Sequence, residues 1–75
     1  MTTTHLDLKG LNCPLPVLRA NKKMKEIMAG DILEIEVTDP AAPKDFKTYS
    51  STTGHELVRS DEADGVYTIS LKKSG

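Results

Sequence analysis

One cysteine stands in the whole chain, at Asn12-Cys13-Pro14-Leu15-Pro16. A thiolate there could attack a sulfur or carbon centre and later depart again, which is the chemistry of a group carrier. No internal disulfide can form, so any resolving thiol must come from another molecule. The two histidines, His5 and His55, show no ligand pair at metal spacing, and a zinc or iron site is not expected. A lone cysteine is most often a small buried hydrophobe. The setting of this one argues for use. Pro14 suits the first position of a helix, which makes Cys13 the N-cap. Neither Pro14 nor Pro16 has an N–H, so that of Leu15 is the nearest free donor for the sulfur. A sulfur at the positive, proline-stiffened end of a helix favours the thiolate, so the expected direction is a lowered Cys13 pKa.

The elements that must position this thiol follow from hydrophobic spacing. Thr3 to Lys9 alternates, with Leu6 and Leu8 on one side, and reads as a strand. Val17, Ala20, Met24, Ile27 and Met28 recur at helical spacing opposite Arg19, Lys22, Lys23, Lys25 and Glu26. They predict a helix from Cys13 to Ala29 closed by Gly30. Ile32 to Thr38 alternates again. A second helix begins within Asp39–Phe46, with Pro40 or Pro43 in its first turn, and ends at Gly54, anchored by Phe46 and Tyr49. Strands follow at Glu56 to Ser60 and Val66 to Lys72, with a hairpin signal at Asp64-Gly65 in a loop of several residues. The order is βαβαββ. Because every strand alternates, one sheet face alone should be covered, with both helices on it. The expected fold is a two-layer α+β sandwich with a four-stranded mixed sheet.

At 75 residues the chain is read as a single domain, 1–75. Ten basic and eleven acidic side chains leave a net charge of −1, and only Phe46, Tyr49 and Tyr67 are aromatic. That balance lacks the electrostatic footprint and stacking surface of a nucleic-acid binder, so no direct nucleic-acid partner is expected. No apolar run approaches the roughly 20 residues a membrane span needs. The N-terminus is not built like a signal peptide, and a disulfide-free small domain is expected in the cytoplasm, as a monomer.

The quoted residues also resemble a family. "LDLKGLNCPLPVLRANK", "MKEIMAGDILEIEVTDPAAPKDF", "GHELV" and the closing strand are similar to the TusA/SirA-type sulfur-carrier proteins over nearly the full length. The resemblance implies a fold similar to the C-terminal domain of a bacterial translation initiation factor. It implies a persulfide carried transiently on Cys13, with no resident cofactor. A cysteine desulfurase or rhodanese-like protein would supply the sulfur, and an acceptor of the DsrE/TusD type would receive it. The routes served lead to tRNA thiolation, cofactor synthesis or sulfur oxidation. The tRNA-thiolation branch often has an acidic residue where this chain has Leu15, and the second cysteine of some members corresponds here to Ser50.

Around Cys13, the expected binding residues are Asn12, Pro14, Leu15, Pro16, Arg19 and Lys22. Two roles fit the basic side of the first helix: a solvated face, or a dock for an acidic rim around a partner's cysteine. Leu15 fits either partner contact or packing at the sheet edge. Asp39 is read as a cap on the second helix and His55 as a surface residue. The alternative to a carrier is an RNA- or protein-binding regulatory module with an incidental thiol; a one-cysteine redox sensor ranks third.

Overall fold

The structure is a computed structural model and describes residues 2–74. Its elements are β1 (Thr3–Leu8), α1 (Leu15–Met24), β2 (Ile32–Val37), α2 (Ala42–Thr53), β3 (Glu56–Ala63) and β4 (Val66–Lys72). The sheet order is β1-β2-β4-β3, with β1 and β2 parallel and the other pairs antiparallel. Register converts the alternation into rows across the sheet. Leu6, Ile35 and Ile69 stand side by side, as do Leu8, Val37 and Tyr67. These rows face both helices, and Ala20 and Met24 of α1 and Phe46 and Tyr49 of α2 close the core over them. The expected two-layer, four-stranded mixed sheet with helices on one face is the fold observed.

The first helix is shorter than its apolar spacing predicts. It stops at Met24, because the Lys25 and Glu26 N–H groups bond three residues back, to Lys22 O and Lys23 O. Asp31 then competes with the helix for the backbone. Its carboxylate accepts the N–H of Met28 and that of Thr2, both at 3.1 Å, and pulls the segment into a turn against the start of β1. Lys73 Nζ fastens the same turn by donating to Ile27 O at 2.6 Å. Ile27 still packs on the core, but Met28 is 74% exposed, and Gly30 serves this turn instead of capping α1.

The second helix holds Pro43 in its first turn and ends at Gly54, whose left-handed backbone (φ 86°) returns its N–H to Ser50 O. Between β3 and β4 the connection is tighter than expected. Strand β3 runs on to Ala63, and Asp64 and Gly65 alone make the turn, both at positive φ. The two helices are joined directly by the Tyr49 hydroxyl, which donates to Asn21 Oδ1 at 2.9 Å.

Candidate functional site

Strands β1 and β2 are parallel, so the loops leaving their C-terminal ends emerge at the same edge of the sheet. Two hydrogen bonds tie these loops together. Gly10 N–H donates to Thr38 Oγ1 at 2.9 Å, and Cys13 N–H donates to Asp39 Oδ2 at 2.6 Å. The other carboxylate oxygen of Asp39 accepts Ala41 N–H at 3.0 Å, and its carbonyl accepts that of Ala42. Asp39 therefore orders the approach to α2, as a cap would, and also fixes the backbone of the cysteine. The second duty has no local sequence signal.

Helix α1 begins one residue later than expected. Its N-cap is Pro14, with no side-chain cap, and Cys13 lies just outside it, joined by a cis peptide bond. The Leu15 N–H is not free for the sulfur, since it donates to Asn12 O at 2.9 Å. The thiol is exposed. Its electrostatic setting is the reverse of the expected one. The nearby Asp45 carboxylate, with some loss of hydration and the negative charge of Asp39, holds the Cys13 pKa above the ordinary thiol value of 9.0. That direction favours the neutral thiol at rest and reverses the expectation of a thiolate stabilised by a helix end.

The thiol opens onto a cleft of about 350 Å³ between the helices, lined by Pro14 and Val17 on one side and Asp45, Thr48, Tyr49 and Thr52 on the other. The α2 residues recur at i, i+3, i+4 and i+7, one continuous helix face. That spacing was visible in the sequence, masked by the use of Tyr49 as a core anchor. Tyr49 is indeed buried, and burial raises its phenol pKa.

The remaining residues singled out by sequence distribute around this centre. Asn12 shapes the turn through its carbonyl, and Pro14 borders the cleft. Pro16 is buried on the inner side of α1. Leu15 and Leu18 are 43% and 57% exposed, an apolar pair one turn from the thiol. Arg19 and Lys22 line a separate groove of about 230 Å³ formed with Asp7, Lys23 and Glu26 against β1, so they flank α1 away from the cleft. His55 Nδ1 accepts the Ser74 N–H at 3.1 Å, and the residue is not part of the cleft lining.

Comparison with known proteins places the chain in a family and matches its fold. The family model described as "Sulfurtransferase TusA" matches residues 4–73. The chain is 45% identical over 70 residues to the sulfur carrier protein TusA of Allochromatium vinosum, where the match covers 93% of this chain and 92% of that one. The sulfur carrier protein TusA of Pseudomonas aeruginosa is 37% identical over 68 residues, covering 91% and 86%. Among solved structures, the SirA-like protein of Desulfitobacterium hafniense superimposes with a TM-score of 0.81 at 26% identity, covering all of both chains.

Proposed function

This chain belongs to the TusA sulfurtransferase family, and on that footing we propose that it carries sulfur between proteins as a persulfide on Cys13. The observation that carries the proposal is the placement of the chain's one thiol, exposed at the mouth of an interhelical cleft and pinned through its own N–H by Asp39. Pinning the backbone fixes where the sulfur stands; exposure lets a second protein reach it.

In the proposed cycle, Cys13 takes the outer sulfur of a persulfide on a cysteine desulfurase or rhodanese-like donor. An acceptor cysteine then attacks that outer sulfur and releases Cys13. Leu15 and Leu18 supply an apolar contact beside the thiol, and Arg19 and Lys22 attract an acidic rim on the partner. The cycle serves a cytoplasmic sulfur relay, toward thiolated tRNA, cofactor synthesis or sulfur oxidation, with an acceptor of the DsrE/TusD type.

Intact mass spectrometry after incubation with a cysteine desulfurase and cysteine, or with a rhodanese and thiosulfate, tests the proposal. The expected product is the chain plus one sulfur, localised to Cys13, lost on reduction and absent from Cys13→Ser. A chain that gains no sulfur from either donor, or gains it equally in Cys13→Ser, overturns the proposal.

A further inference from the structure

A neutral thiol is a poor nucleophile, so the proposed carrier needs somewhere for the Cys13 proton to go. Within the cleft that place is narrowly defined. The titratable groups lining it beside Cys13 are Asp45 and Tyr49, both on α2. Tyr49 already donates its hydroxyl proton to Asn21, and burial disfavours its ionisation. From the β2–α2 loop, Asp39 also bears on the thiol by its charge, but both of its carboxylate oxygens are engaged by backbone N–H groups. Helix α1 contributes Pro14 and Val17 and no charged side chain to the lining, its Arg19 and Lys22 lying in the other groove. That leaves the Asp45 carboxylate, which lines the cleft with Cys13 and is engaged by no hydrogen bond among the described residues.

We propose that Asp45 is a catalytic residue of the sulfur transfer, taking the Cys13 proton as the thiol attacks and returning a proton to the departing sulfur. The inference rests on the carrier reading above. In loading, the Cys13 S–H proton passes to the Asp45 carboxylate while Sγ bonds to the outer sulfur of a donor persulfide, R–S–SH. The donor's S–S bond breaks, its inner sulfur leaves with the electron pair as R–S⁻, and Asp45 protonates it. The sum is Cys13–SH plus R–S–SH giving Cys13–S–SH plus R–SH, with nothing oxidised or reduced overall. In delivery the sequence runs backward: Asp45 holds the proton of the attacking acceptor thiol and gives it to the Cys13 sulfur as that sulfur departs.

The placement suits the task in a second respect. Asp45 sits in the first turn of α2, at the end of the helix that opens onto the cleft. The face it shares with Thr48 and Thr52 is the open wall of the cleft, so the carboxyl stays beside a sulfur approaching from outside.

Two rates measured on Asp45→Asn separate proton transfer from simple suppression of the thiolate. The first is alkylation of Cys13 by iodoacetamide against pH, which follows thiolate abundance alone. The second is single-turnover uptake of sulfur at saturating sulfurated donor, which removes differences in docking. Removing the carboxylate should speed alkylation at neutral pH and yet slow sulfur uptake by about 10²-fold, the low end for a positioned acid–base group. Acetate or formate added to Asp45→Ala should restore part of the uptake rate without restoring slow alkylation. Uptake that rises in step with alkylation overturns the proposal and leaves the carrier reading standing. Failure of the wild-type chain to take sulfur overturns both.

Discussion

Two acidic residues bear on one thiol, and the structure assigns them opposite balances of labour. Asp39 is chiefly mechanical: it accepts Cys13 N–H at 2.6 Å and Ala41 N–H at 3.0 Å, joining two loops. Asp45 is chiefly electrostatic, its carboxylate lining the cleft with Cys13 and raising the thiol pKa more than the charge of Asp39 does. For Asp39→Ala, the cap-like bond to Ala41 is worth about 1 kcal/mol and the charged interloop bond about 1.5 kcal/mol, at the low end because the site is half-exposed. A loss of about 2.5 kcal/mol lowers Tm by roughly 10–20 °C in a domain this small. It takes a large share of a total stability of roughly 4–11 kcal/mol, yet leaves a folded chain. For Asp45→Asn, the lost helix-end interaction is worth about 0.3–1 kcal/mol, a shift of a few degrees. Iodoacetamide alkylation should rank the other way, with Asp45→Asn accelerating Cys13 more than Asp39→Asn at the same pH. Thermal denaturation followed by circular dichroism, paired with alkylation rates, reads both orders. Equal melting temperatures for Asp39→Ala and the wild type, or faster alkylation in Asp39→Asn than in Asp45→Asn, would refute the division.

Three further outcomes are expected. The Cys13 thiol binds its proton more tightly folded than unfolded, so its contribution to stability is complete below 9.0 and is lost as pH rises through the higher folded value; urea midpoints measured from about pH 8 to about pH 10 should therefore fall more steeply for the wild type than for Cys13→Ser. Tyr49→Phe removes the bond to Asn21 that joins the helices and should cost about 0.5–1.5 kcal/mol by urea denaturation. Leu33→Ala empties a fully buried position between Thr4 and Leu71 and should cost about 2–5 kcal/mol, enough to leave the chain marginal at room temperature by the same measurement.

The fold was legible because its signals are local. Leu33, Ile35 and Val37 alternate against Glu34, Glu36 and Thr38, and that spacing alone says strand, one buried face and helices on that side. Where a local signal met a competing partner, the reading failed. Ile27 and Met28 continue the helical spacing of α1, but Asp31 captures the Met28 N–H and ends the helix early. The site was harder to read for the same reason in stronger form. Pro14 and Pro16 correctly mark a rigid start to α1. Yet the groups that set the charge state of Cys13 arrive from the β2–α2 loop and α2, with Asp39 itself 26 residues away. A helix-end argument counts only the donors next door, and here two carboxylates outweigh them. The family resemblance pointed to Cys13; it took the parallel pairing of β1 and β2 to show what surrounds it.

That surrounding suits a carrier better than the ionised sulfur expected from the motif. A permanently ionised, exposed thiol would react with any electrophile or oxidant it met between donor and acceptor, and no second cysteine in the chain could rescue it by forming a disulfide. The acidic pair holds the empty carrier in its less reactive form. Loading, in the proposed cycle, changes which atom matters. The transferred sulfur stands one S–S bond, about 2 Å, beyond Sγ. One arrangement of charges thus quiets the unloaded cysteine, while in the loaded form the reactive atom is no longer Sγ but the sulfur in transit.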